Sequence, residues 1–296
     1  MRWRPSSSTQ VEDRRGAGGG GGLGGMRMGG LGGGGMSLPV GGGLGGIVLI
    51  VIIYVVLNLM GGTGATGPSG GLTGGQGGVI ASLSPDDDPG QFVNSVTVDV
   101  QGYWDAKLAE SGKDYPETVT VLFTDSTQSG CGVASSQTGP FYCPADQKVY
   151  LDTAFFDELS SRFGAPGDFA QAYVIAHEYG HHVQDVLGAM EQAQNGGNEG
   201  SIRLELQADC YAGMWANSVW KSPDQSAVES ITEADVQEAI NAAQAVGDDR
   251  IQKQSTGTIN QDTWTHGSAE QRARWFNTGF KSGSIDSCNT FGAANL

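Results

Sequence analysis

Between Arg27 and Lys107 the 296-residue chain carries no lysine or arginine, and nowhere does it hold a C-x-x-C pair. It also shows no internal repeat at the roughly 20- to 50-residue periods of solenoids and propellers. The first absence among the cysteines excludes a cysteine zinc knuckle, and the second excludes a stacked array. Base is scarce overall: 16 lysines and arginines face 32 acidic residues, for a formal net charge of −16. A surface of that sign repels phosphates, so no nucleic-acid partner is expected. Apolar side chains are sparse at the start, where runs such as Gly18 to Gly22 and Gly32 to Gly35 cannot bury enough surface to offset chain entropy. About 200 residues remain that can build a core, an ordinary size for one domain.

Five arginines (Arg2, Arg4, Arg14, Arg15 and Arg27) precede the uncharged run LGGIVLIVIIYVVLNLM at Leu44 to Met60. At about 1.5 Å per residue, a helix of about 20 such residues spans a bilayer core, and the positive-inside rule then places its N-terminus in the cytoplasm. The expected organisation is a disordered, Gly-rich cytoplasmic leader at 1–43, one transmembrane helix at 44–62 and a flexible linker at 63–85. A domain at 86–296 follows, carried outside the cell membrane by this single pass. Four cysteines in such a domain allow three pairings into two disulfides. Cys131 with Cys143 and Cys210 with Cys288 are favoured, because the first closes a short loop around Gly139-Pro140 and the second ties a central helix to the tail.

Within the domain, Phe92, Val96, Val100, Trp104 and Leu108 fall at four-residue intervals and predict a helix over Gly90 to Glu110. Thr118 to Phe123 and Lys148 to Leu151 are β-branched and aromatic, and read as strands. Phe155 to Phe163 is a short helix ended by Gly164-Ala-Pro-Gly167. Asp168 is placed as the N-cap of a long helix running to about Leu187. A polar loop at Asn195 to Gly200 precedes a second long helix over Ile202 to Trp220. Helices at Glu233 to Ala245 and Ser268 to Phe280 follow, the last opened by a Ser268–Gln271 capping box.

The long helix carries His177-Glu178-Tyr179-Gly180-His181. Side chains four apart share one helix face, so His177 and His181 can offer two imidazoles to one metal ion. Glu178 sits one residue along, near enough to hold a water on that ion and too far round to replace it; this is the mechanical content of H-E-x-x-H. A catalytic zinc takes three protein ligands and leaves one position open. The third is expected from Glu205 in Glu205-Leu-Gln-Ala-Asp209, with Asp209 one turn on accepting a hydrogen bond from a ligand imidazole. His182 points about 100° away from His181 and is left out of the ligand set. His266, just ahead of a capped helix, is a candidate for stabilising an oxyanion.

The strings GPFYCPADQKVYLD, AHEYGHHVQ, RLELQADCYAG and THGSAEQRARWF together resemble a bacterial family of neutral zinc metallopeptidases over about Asp86 to Phe291. The resemblance implies a short N-terminal membrane segment. In the wider thermolysin-like zinc peptidases a Glu in an E-x-x-x-D helix is the third ligand, which implies that role for Glu205. The expectation is therefore an α+β, mostly helical, zincin-like domain with a small sheet, preceded by one transmembrane helix. It would hydrolyse peptide or protein substrates with zinc on His177, His181 and Glu205, Glu178 as general base and His266 beside the oxyanion. The competing expectation is a membrane-anchored binding or scaffold protein whose zinc is purely structural.

Overall fold

The expected helical stripe from Phe92 to Leu108 winds into helix α1, Asp88–Ala109, with all five of its apolar residues buried. The computed structural model describes residues 1–16, 88–222 and 227–296. After α1 the chain makes strand β3 (Thr120–Phe123), a hairpin of β4 (Ser126–Ser129) and β5 (Gly132–Ser135), then β6 (Phe141–Cys143) and β7 (Lys148–Asp152). β3 and β7 run parallel and are buried along almost their whole length, which is why both read as continuous apolar runs. β6 returns antiparallel to β7 at one edge of the sheet.

The opposite edge was not foreseen. Residues expected to begin a disordered leader instead supply β1 (Arg2–Trp3) and β2 (Val11–Asp13). β2 adds parallel to β3, giving the order β2-β3-β7-β6, and β1 pairs with β8 (Val228–Ser230).

Helices pack on one face of the sheet. α2 (Ala154–Ser161) leads to α3 (Asp168–Leu187), then α4 (Ala189–Gln194) and α5 (Gly197–Lys221). α6 (Glu233–Ala245), α7 (Asp248–Thr256) and α8 (Ala269–Ser282) complete the order. Asp168 is the first helical residue of α3 and not its cap. The exposed amides of that first turn are met from elsewhere, as Glu238 on α6 accepts from the Phe169 N–H at 3.1 Å. Thr232 and Ser268 do cap their helices in reciprocal boxes. The polar stretch taken for a loop contributes the first turn of α5, which therefore starts five residues before the expected Ile202.

α5 and α8 touch at backbone distance. A Cβ on Gly279 would lie 1.8 Å from the Cys210 carbonyl oxygen, and one on Gly213 would lie 2.1 Å from that of Phe276. The disulfide Cys210–Cys288 fixes the chain after α8 to the same turn of α5, and Cys131–Cys143 staples the β4–β5 turn to β6. Both favoured pairings are formed.

The architecture is the expected mostly helical α+β fold with a small sheet, but the transmembrane part of the expectation is corrected. Among the described residues no helix is long and apolar enough to cross a membrane. The proposed span at 44–62, with its linker at 63–85, lies outside the described residues. A single crossing between residues 16 and 88 would also put β2 and β3 on opposite faces of a bilayer, yet they are hydrogen-bonded in one sheet. The single-pass placement, N-terminus on one side and domain on the other, is withdrawn for that reason.

The α5–α8 contact leaves no room for a methyl group. Gly279→Ala should lower the unfolding free energy by about 2 kcal/mol or more, as forced overpacking does. Urea unfolding of the two proteins measures it, and equal midpoints would show that the helices are not in contact there.

Candidate metal centre

α3 and α5 cross at Gly180, where an added Cβ would stand 3.1 Å from the Cα and carbonyl oxygen of Ala208. That close approach brings the His177–His181 face of α3 onto the Glu205–Asp209 face of α5. His177 Nε2 lies 3.2 Å from Glu205 Oε2, and His181 Nε2 lies 3.5 Å from Glu205 Oε1. The three donor atoms all fall within 4.8 Å of one another. Zinc bound tetrahedrally at about 2.0–2.1 Å keeps its donors about 3.3 Å apart, so the spacing and the two-nitrogen, one-oxygen chemistry fit that ion.

Both imidazoles are turned the same way by partners behind them. His177 donates from Nδ1 to Asp209 Oδ1 at 2.9 Å. His181 donates from Nδ1 to Gln184 Oε1 at 2.8 Å, and Gln184 is held in turn by donating to the Leu204 carbonyl at 2.7 Å and to Gln207 Oε1 at 3.1 Å. Each Nε2 is left to face the common point.

Asp209 is fully buried and saturated with donors. Tyr173 donates to Oδ1 at 2.5 Å, and Arg272, from α8, donates to Oδ1 and Oδ2 at 2.9 Å each. Burial alone would raise the Asp209 carboxyl, but Arg272 and His177 outweigh it and hold it below the usual range. Burial likewise would lower the His177 imidazole. Asp209 and Glu205 reverse that and lift it to about 10, so without metal His177 is an imidazolium between two carboxylates.

Glu178 is largely buried at 8 % exposure, and among the described residues no hydrogen bond engages its carboxylate. His266 stands close enough that its charge acts on Glu205: burial would raise that carboxyl, and His266 leads the groups that hold it well below its usual range. The ring is fixed through Nδ1, 2.9 Å from Thr265 Oγ1 and 3.3 Å from Asp248 Oδ1. Asp248 Oδ2 also accepts from the backbone N–H groups of Thr265, His266 and Gly267 at 2.8, 2.7 and 3.1 Å. His182 is buried away from the cluster, with Nε2 on the Pro116 carbonyl at 2.7 Å.

Four residues of this arrangement escaped the sequence reading. Tyr173 falls on the apolar face of its helix with Phe169, Ala176 and Gly180, and Gln184 drew no reading although it lies one turn from His181. Arg272 carried a usable signal, since it interrupts the apolar stripe of Ala269, Ala273 and Phe276 with a charge that must be paired. Asp248 opens a helix whose own apolar pattern is absent, so nothing local pointed inward.

A family model described as "Putative neutral zinc metallopeptidase" matches residues 1–291. The chain is 41% identical over 302 residues to the uncharacterized protein YpfJ of Escherichia coli, covering 99% of both. It is 52% identical over 183 residues to the uncharacterized protein Rv2575 of Mycobacterium tuberculosis, covering 59% of this chain and 62% of that protein. No solved structure matches.

The proton on His177 competes with metal, because its Nε2 must be bare to bind. With that pKa at about 10, zinc affinity should rise about tenfold per pH unit from pH 6 upward until the proton is gone. Chelator competition across roughly pH 6 to 9, with proton release followed by calorimetry in two buffers, tests this. Affinity that stays flat over the range would contradict the arrangement.

Proposed function

The chain belongs to the neutral zinc metallopeptidase family, and from that premise we propose that it hydrolyses peptide bonds with water, Glu178 serving as the base. The observation that carries the proposal is the His177–His181–Glu205 cluster, with three protein donors, and Glu178 one residue along α3 from His177 with no hydrogen bond to its carboxylate among the described residues. A purely structural zinc would ordinarily be closed by a fourth protein donor, and among the described residues the cluster has three. A zinc ion held there supplies a Lewis acid that polarises the scissile carbonyl and lowers the pKa of a water in the open position.

The remaining work falls to the chain's own groups. Glu178 takes the proton of the attacking water and passes it to the departing amine. Asp209 keeps His177 in the tautomer that offers Nε2, and Gln184 does the same for His181. His266, with Nδ1 turned to Asp248 and Thr265, has Nε2 available to donate to the oxyanion as it forms. Asp248 is a positioning residue for that ring. The substrates are peptides or proteins, and the acidic surface gives no support to a nucleic-acid partner.

Glu178→Gln keeps the shape of the site and removes the base. It should bind zinc as the unaltered chain does while losing about 10²- to 10⁴-fold in peptide turnover. Metal content and turnover measured on the same preparation decide it, and turnover at the unaltered rate would remove Glu178 from the mechanism.

A further inference from the structure

Residues 1–15 lie across α1, β3 and β8 as an extended strap whose main chain is gripped at alternate positions. The Arg4 N–H donates to the Ala227 carbonyl at 3.0 Å, and the Ser6 N–H donates to Ser95 Oγ at 3.2 Å. Asn94 then takes two backbone groups at once, donating to the Ser8 carbonyl at 2.8 Å and accepting from the Gln10 N–H at 2.9 Å. The Gln10 carbonyl accepts from the Thr120 N–H at 3.0 Å, β2 adds to the edge of β3, and the Arg14 N–H ends the ladder on the Leu122 carbonyl at 2.7 Å.

The groove side of this contact is prepared for a main chain. Asn94 and Ser95 are adjacent on α1 and buried at 1 % and 0 % exposure. Polar side chains so deeply placed on a helix are costly unless something meets them, and Asn94 is met only by the strap among the described residues. Side-chain pockets supply the sequence preference. Trp3 stands edge-on to Phe92 at 5.5 Å, Val11 is fully buried, and Lys148 donates to Glu12 at 2.8 Å. Backbone bonds to a sheet edge with alternate side chains in pockets is how folded domains bind extended peptides.

Residues 16–87, 72 positions in all, separate this strap from α1. Fully extended, such a length could reach on the order of 230 Å, so the covalent connection does not decide which copy's groove the segment enters.

We infer that the groove of α1, β3 and β8 is a peptide-binding site whose ligand is an extended segment with the sequence of Met1 to Arg15. The same segment from a second copy of the chain, or as a free peptide, fills it as the chain's own does. None of the groove residues that hold the segment is among the three donors of the candidate metal centre.

The test uses the full chain with a protease recognition sequence inserted after Gly22, cut after purification. A dye-labelled synthetic peptide of residues 1–16 is then added in tenfold excess. The cut segment should stay with the domain through gel filtration and then exchange for the labelled peptide up to one per chain. A scrambled peptide should not enter, and a peptide carrying Val11→Asp should bind at least tenfold more weakly. Asn94→Ala in the domain should weaken the intact peptide about tenfold or more, through two lost hydrogen bonds. The inference is overturned if the labelled peptide never exchanges, if the scrambled or Val11→Asp peptide binds equally well, or if the domain loses its near-ultraviolet circular dichroism when the cut segment leaves. That last outcome would make the strap part of the core.

Discussion

The Asp209 carboxylate is the point on which three helices agree. It has no contact with water, so its charge must be matched inside the protein or it would not be ionised there. α3 brings Tyr173 and His177 to it, α8 brings Arg272, and α5 carries it. Removing Arg272 takes away the main charge that balances this carboxylate, which is the expensive kind of loss in a protein interior. The same contacts orient the His177 ring, so the interaction that ties the helices together also sets one donor of the candidate metal site. The backbone contact at Gly213 and Gly279 serves this end, because it lets α8 come near enough for Arg272 to reach.

The charges of the candidate site would balance around a divalent ion. Glu178, Glu205 and Asp209 are three buried carboxylates and Arg272 is one buried cation. Without metal the deficit is reduced by the proton that His177 holds to about pH 10. Zinc can take that proton's place because the imidazole is already aimed at Glu205. On the other side, Asp248 gathers three backbone amides and the His266 ring, so the loop before α8 is fixed by one carboxylate as α8 itself is fixed by another.

Much of this was legible in the residues. The periods of α1, α3 and α5 come from apolar stripes that one buried face requires, α8 is marked by its Ser268–Gln271 capping box, and His177, His181, Glu205 and Asp209 follow from spacing on two of the striped helices. Both disulfide pairings were foreseen, from the short loop in one case and the tail in the other. The first fifteen residues were misread because a strand held largely by a neighbour's side chains needs little apolar pattern of its own: only Val11 of β2 is an apolar anchor. The single-pass membrane placement failed with them, since it treated the two parts of the chain as separate when they share a sheet. Arg272 and Asp248 were missed because their meaning lies in tertiary partners 63 and 18 residues away.

The proposed chemistry requires three side chains around one zinc ion while a fourth position stays open to water. X-ray absorption at the zinc edge of the loaded protein measures that directly. The expected first shell is two imidazole nitrogens and two oxygens at about 2.0–2.1 Å, with one oxygen lost from the Glu205→Ala variant and one exchangeable for an added anion. A shell containing sulfur, a third imidazole in place of the open position, or no change on removing Glu205 would contradict it.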